Sequence, residues 1–448
     1  MAKAFISFLG TGDYTKCRYS FKNEAGNVVK YVQEDVISRF CKEWNQEDEI
    51  RIFTTDEAKQ QNWDENGHKD RKTNETKINT GLGKRLENMR IAASVKRYDI
   101  PVGNSEDEIW RIFQTVYESL GNGDEIIFDI THSLRSIPML FMVLVGYARL
   151  LKNISVQGIY YGAFEILGHQ SEVGKMPEDE RIAPLFDLTS FEKLIEWTSA
   201  TQSFVKNGSA AEFASLAKRD ISAVMKTTSG ESGYVEGNKG IAQEIGNIVN
   251  GINTISQNII LSRGAEIIGG YNYGRIKENL EKLQKNDIFI KPLAPLMQIV
   301  EKKLDAFVKD DVNNGFRAVE WCVEHGLYQQ AITILLENMI TSILSEEGLD
   351  WGIKDNRDAA SDAIKLIADK KAVFKEQRYD SAESAEKVRN LMNNPLLIEF
   401  ASDLESLRSI RNDINHGGYL TEKNNKAKSA KSIIDNFKSI SNKIFIRI

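Results

Sequence analysis

The chain changes character near Leu188, and that change limits what it can fold into. Before it, short apolar runs alternate with amphipathic stretches. Residues 4–9, 49–54, 95–100, 125–129 and 156–161 read as strands, and residues 32–44, 105–120 and 136–151 read as helices. Such alternation predicts an α/β region with a mostly parallel sheet and helices on both faces. After it, apolar residues recur at three- and four-residue spacing and strand-like runs vanish, which predicts an all-α region. The expected helices cover residues 191–206, 210–226, 241–262, 276–285, 293–308, 316–344 with a break at Gly326, 359–374 and 381–391. Two polar segments interrupt the pattern. Residues 56–83 mix Lys, acids and Asn and read as a long loop or weak helix with a solvated surface. Residues 229–240, with four glycines and two serines, read as a flexible loop.

At 448 residues the chain is too long for one core, so two or three domains are expected, with boundaries at 188 and 300. A net charge of −6 excludes an overall basic coat for nucleic acid and leaves room for a local basic groove. Cys17, Cys41 and Cys322 are scattered, with no paired spacing and no neighbouring His, so neither a zinc site nor a disulfide framework is expected. The apolar run 137–151 contains Arg149 and falls short of the roughly 20 residues a membrane span needs. The first ten residues are too short for the apolar part of a signal peptide. A cytoplasmic protein with no membrane contact and no metal is the expectation.

Two loops in the first region are candidates for ligand contact. Gly10-Thr11-Gly12-Asp13 follows the first strand, where glycines let a backbone approach a ligand and exposed amides take phosphate. It is not a dinucleotide fingerprint, because Thr15 stands where a third glycine belongs. Asp129-Ile130-Thr131-His132-Ser133-Leu134-Arg135 links a buried strand to a helix that Thr131 or Ser133 could cap, and Arg135 adds a fixed charge. Ligands bind at the carboxyl ends of strands in open α/β sheets, so both loops belong at one edge. A tight turn and a structurally bonded Asp129 explain the same residues equally well.

The other candidate lies near the end. Leu397, Phe400, Leu404, Leu407, Ile410 and Ile414 form an amphipathic stripe, and Gly417-Gly418 stops the helix. Arg411-Asn412 and His416 fall in its last turn. Histidine moves protons near neutral pH, and arginine offers phosphate oxygens a planar fork of donors. With a substrate 2′-hydroxyl as nucleophile, these parts cleave RNA without a metal. Five residues along a helix are offset by about 140°, so Arg411 and His416 converge only if the last turn loosens or a second subunit contributes. A His capping helix carbonyls beside an Arg in a surface ion pair is the alternative that the spacing leaves open.

Together these motifs resemble a known family. Asp129-x-Thr131-His132-Ser133 resembles the D-x-T-H-G motif of CRISPR-associated proteins with a Rossmann-like CARF sensor domain, and the strand–Gly-Thr-Gly-Asp-Tyr start is similar to theirs. Arg411-x4-His416 resembles the motif of HEPN ribonucleases, and the helix around Trp321, Leu327 and Ala331 through Glu337 looks HEPN-like. The order resembles the ancillary ribonucleases of type III CRISPR systems. The resemblance implies a CARF sensor over 1–188, a helical connector over 189–300 and an all-α HEPN domain over 301–448. It implies a homodimer, or a higher assembly of it, switched on by a cyclic oligoadenylate, with cyclic tetra-adenylate ahead of the hexamer. The ring would touch Gly10, Thr11, Gly12, Asp13, Thr131, His132, Ser133 and Arg135. Arg411, Asn412 and His416 of both chains would form one metal-independent site that cuts single-stranded RNA, leaving a 2′,3′-cyclic phosphate. Ser133 departs from the motif Gly and puts the ligand in question. Competing readings are a non-catalytic sensor acting through its helical half, and an unrelated nucleotide-binding enzyme.

Overall fold

The computed structural model describes residues 2–64, 68–69, 75–77, 79–132, 137–226, 232–284, 293–369, 372–419 and 426–447. It divides into two compact units, Met1–Lys193 and Leu194–Ile448.

Among the described residues the main sheet of the first unit has eight strands: β1 (Lys3–Leu9), β2 (Arg18–Phe21), β3 (Glu24–Ala25), β4 (Glu49–Thr54), β5 (Ser94–Asp99), β6 (Glu125–Asp129), β7 (Ser155–Gly162) and β8 (Ile182–Asp187). Their order is β3-β2-β8-β7-β6-β1-β4-β5. The pairs among β5, β4, β1, β6 and β7 are all parallel, and β8 joins β7 antiparallel. Central β1 is buried from Ala4 to Leu9, as a strand covered on both faces must be. Phe5 and Leu9 point to one face, where α1 (Val32–Phe40) packs through Val32, Val36 and Ile37. Ala4, Ile6 and Phe8 point to the other, against α2 (Glu106–Ser119) and α3 (Ile137–Lys152), through Ile112, Val116, Leu144 and Ala148. The chain leaves β1 toward β4 by α1, and leaves β6 toward β7 by α3. Strand order therefore reverses between β1 and β6, and their carboxyl ends open the crevice typical of doubly wound sheets.

The expected mostly parallel α/β unit is present, and the antiparallel edge was not foreseen. β2 and β3 are joined by a two-residue turn, Lys22-Asn23, with φ of 50° and 67°. Such turns are normally signalled by Asn-Gly or Asp-Gly, and that signal is missing here. The helix expected over 32–44 stops at Phe40, and Trp44 closes a turn onto the Cys41 carbonyl. The polar stretch 56–83 is not one loop. It holds a short helix at Asp56–Ala58, a π-turn at Lys59–Trp63 and a ladder pairing His68–Lys69 with Thr76–Lys77.

The second unit is helical: α4 (Thr189–Asn207, which enters it from the first), α5 (Ala211–Lys226), α6 (Ser232–Ile260), α7 (Tyr271–Gln284), α8 (Leu293–Leu304), α9 (Asn314–Glu324), α10 (Tyr328–Glu346), α11 (Lys354–Ala368), α12 (Ala382–Leu391), α13 (Pro395–Asn415) and α14 (Ala430–Arg447). One apolar core runs through it from Trp197 to Ile444. The loop expected over 229–240 is corrected: α6 already begins at Ser232, while 227–231 lie outside the described residues. Glycine costs a helix about 1 kcal/mol, and the buried stripe Ile245, Ile248, Val249 and Ile252 further along outweighs it. The break at Gly326 appears between α9 and α10, with φ of 71°. α10 is buried on most sides, through Ile332, Leu335, Leu336, Met339 and Ile343, and packs against α9, α11 and α13. α13 starts at a cap from Asn394, whose Oδ1 accepts the Leu397 amide at 3.1 Å. Among the described residues no helix is long and apolar enough to cross a membrane.

Candidate functional site

The crevice between β1 and β6 holds a cavity of about 400 Å³. Leu9, Gly10, Thr11, Gly12 and Tyr14 line it from the first loop, Thr131 and His132 from the second, Thr55 and Glu57 beyond β4, and Ile100 and Val102 beyond β5. The two candidate loops of the sequence are thus brought together.

Each loop is held by its own hydrogen bonds. Asn62, fully buried, donates to the carbonyls of Gly10 at 2.8 Å and Gly12 at 2.9 Å, and so clamps the turn from outside. Its Oδ1 accepts the Tyr31 hydroxyl at 3.3 Å and pairs with His68 Nε2 at 3.1 Å. Tyr14 closes the turn from inside. Its phenol lies beside the Gly10 backbone, and burial pushes that phenol's pKa up. A Cβ on Gly10 would stand 2.6 Å from Tyr14 Oη. The glycine at 10 therefore makes room for Tyr14 as well as for any ligand. The amide and hydroxyl of Thr11, at the exposed tip, make no hydrogen bond among the described residues. Asp13 pairs with Lys30 at 3.7 Å.

In the second loop the fully buried Asp129 accepts Ser7 Oγ at 2.7 Å, Thr131 Oγ1 at 2.6 Å and the Thr131 amide at 3.0 Å. Burial raises its pKa against those bonds. Thr131 Oγ1 also accepts the Gly162 amide at 2.9 Å, tying the loop to β7. Gln33 completes the strip, donating to Ser7 Oγ at 3.0 Å and to the Phe8 carbonyl at 3.1 Å. His132 lies on Tyr14 with ring centroids 4.2 Å apart, and burial lowers its pKa to about 4, so it is neutral at physiological pH. Ser133 and Arg135 lie outside the described residues.

Sequence reasoning missed Asn62, Gln33 and Glu57. Asn62 sits in a polar stretch that resembles a solvated surface and gives no local sign of a contact 50 residues away.

The second candidate is at the end of α13. Arg411 Nη1 donates to Glu337 Oε1 on α10 at 2.7 Å, and Arg357 Nη2 on α11 donates to the other carboxylate oxygen at 2.6 Å. Arg357 also donates to Thr341 Oγ1 at 3.0 Å. One carboxylate thus holds two guanidiniums, a cluster of net positive charge. His416 is the exposed cap residue, its amide bonded to the Asn412 carbonyl at 3.0 Å. Its ring makes no hydrogen bond among the described residues. Asn412 is exposed, and Gly417 and Gly418 end the helix with φ of 67° and 68°. Within one chain Arg411 faces α10 and His416 faces solvent. Among the described residues no three His, Cys, Asp or Glu side chains gather as metal ligands.

Residues 4–165 match the family model of the CRISPR system endoribonuclease Csx1, CARF domain. The chain is also similar to CRISPR-associated protein MJ1674 of Methanocaldococcus jannaschii. They are 30% identical over 142 residues, 31% of this chain and 21% of that protein. The match thus spans about a fifth of the relative's length. The α/β unit that carries the cavity is a CARF domain of the Csx1 type, followed by a large helical region.

Proposed function

We propose that the chain is an endoribonuclease of type III CRISPR defence, activated when its CARF domain binds a cyclic oligoadenylate. The observation that carries this is the match over residues 4–165 together with the cavity where both loops of that domain meet. A cavity of about 400 Å³ lies at the small end of pockets that enclose drug-sized ligands, roughly 300–1,000 Å³, so it suits a single nucleoside and not a ring of four. A ring of cyclic tetra-adenylate would span the cavities of two copies. An apolar stripe on α3 favours such a pairing: Met139, Val143, Tyr147 and Leu150 are 72, 61, 47 and 83% exposed. It runs along the helix that follows the His132 loop.

In this reading 189–300 is a connector and 301–448 a HEPN domain. Arg411, Asn412 and His416 of two protomers form a composite site that cuts single-stranded RNA without a metal. Arg411 steadies the pentavalent phosphate while Glu337 fixes its fork, and His416 moves the proton. Calorimetry with cyclic tetra-adenylate tests the first half. One ring per two chains is expected. One ring per chain, or no heat, would overturn it.

A further inference from the structure

The described side chains of the CARF cavity suit a nucleoside better than a phosphate, which only the backbone amides of the Gly10–Gly12 turn would serve. Among the described residues no lysine or arginine lines the cavity, and the one charged side chain that does is Glu57. Lys30, which reaches the turn, is engaged with Asp13. Among the described residues, a phosphodiester beside Glu57 would meet a carboxylate and no lining lysine or arginine. Leu9, Ile100 and Val102 make part of the wall apolar, which suits the face of a base. Glu57 lies three residues beyond the end of β4, the strand beside β1, and its Oε1 accepts Gln61 Nε2 at 3.0 Å. A carboxylate beyond that strand is where doubly wound sheets take hold of ribose hydroxyls. Its oxygens can only accept, so they select a donor.

We infer that the cavity takes a nucleoside, base and ribose together, with the Glu57 carboxylate accepting a hydrogen bond from the ribose 2′-hydroxyl and the phosphates left outside. Glu57 is thereby the residue that separates ribonucleotide from deoxyribonucleotide ligands. This rests on the reading that the domain binds a ring of ribonucleotides. The test measures binding of cyclic tetra-adenylate and its all-2′-deoxy counterpart to wild type, Glu57→Ala and Glu57→Gln. Adenosine and 2′-deoxyadenosine are run as monomeric probes. Wild type should prefer the ribose form of each pair about tenfold, the order of one charge-assisted hydrogen bond. Glu57→Ala should bind both forms alike, and Glu57→Gln should fall between. Glu57 is exposed, so both variants should keep the wild-type melting transition. An undiminished ribose preference in Glu57→Ala, or none in wild type, would overturn the inference. If neither ring binds but the adenosine preference depends on Glu57, the nucleoside site stands and the ring reading falls. No binding of ring or monomer overturns both.

Discussion

Replacing Asn62 by Ala removes the clamp on the Gly10–Gly12 turn. Two hydrogen bonds to backbone carbonyls go, at 2.8 and 2.9 Å, and so does the acceptor of the Tyr31 hydroxyl. Each bond contributes about 0.5–1.5 kcal/mol, and a buried group left unpaired costs about 1–3 kcal/mol. Gly12 is exposed and water can replace its partner, whereas the Asn62 site is sealed. The sum is about 3 kcal/mol, read as an earlier midpoint in urea for the α/β unit with an unchanged slope. Asn62→Asp keeps the size but sets a carboxylate against two carbonyls, and it should lose at least as much. Because the turn then has to order on binding, ring affinity should fall about tenfold. A loss below about 0.5 kcal/mol, or a tolerated Asn62→Asp, would refute the clamp.

Three further outcomes follow from the same contacts. His132 has a pKa of about 4 against about 6.5 unfolded, so the unfolded chain binds more protons between those values and stability rises with pH across them. By this reasoning His132→Asn should flatten that part of the stability–pH curve. The difference from wild type reaches at most about 3 kcal/mol at pH 4, since one pKa unit is 1.36 kcal/mol. The raised pKa of Asp129 gives a slope of opposite sign above its unfolded value, and it is common to both proteins. Gly10→Ala should cost about 1–3 kcal/mol through its contact with Tyr14 Oη, and adding Tyr14→Phe should recover part of it in a double-mutant cycle. Glu337→Ala leaves Arg357 and Arg411 without their shared carboxylate. It should lower ring-stimulated cleavage at least tenfold while leaving ring affinity unchanged and costing about 1 kcal/mol of stability, because the pairs are half exposed.

The parallel sheet was legible because β1, β4 and β6 are short apolar runs bounded by turns, a pattern that burial on both faces imposes. That the two candidate loops meet at one edge was legible for the same reason, since both follow the carboxyl ends of those strands. The rest depends on contacts distant in sequence. Asn62 looks like any solvated amide until the chain brings Gly10 to it. Glu57 became part of the cavity only once β4 was set beside β1. The hairpin at Lys22-Asn23 has no glycine to announce it, and α6 runs through glycines because its apolar stripe continues beyond them. At the end of α13 the stripe and the two stop glycines were plain, but the partner of Arg411 was not, since Glu337 is 74 residues away.

In the proposed mechanism a ring bound at the CARF cavity switches on RNA cleavage by Arg411 and His416. Cleavage of a fluorescent single-stranded RNA in EDTA, with and without cyclic tetra-adenylate, tests it directly, with His416→Ala beside wild type. Wild type should cut only when the ring is present, and His416→Ala should not cut but should still bind the ring. Ring-stimulated cutting that survives in His416→Ala, or a wild type that binds the ring and leaves RNA intact, would contradict it.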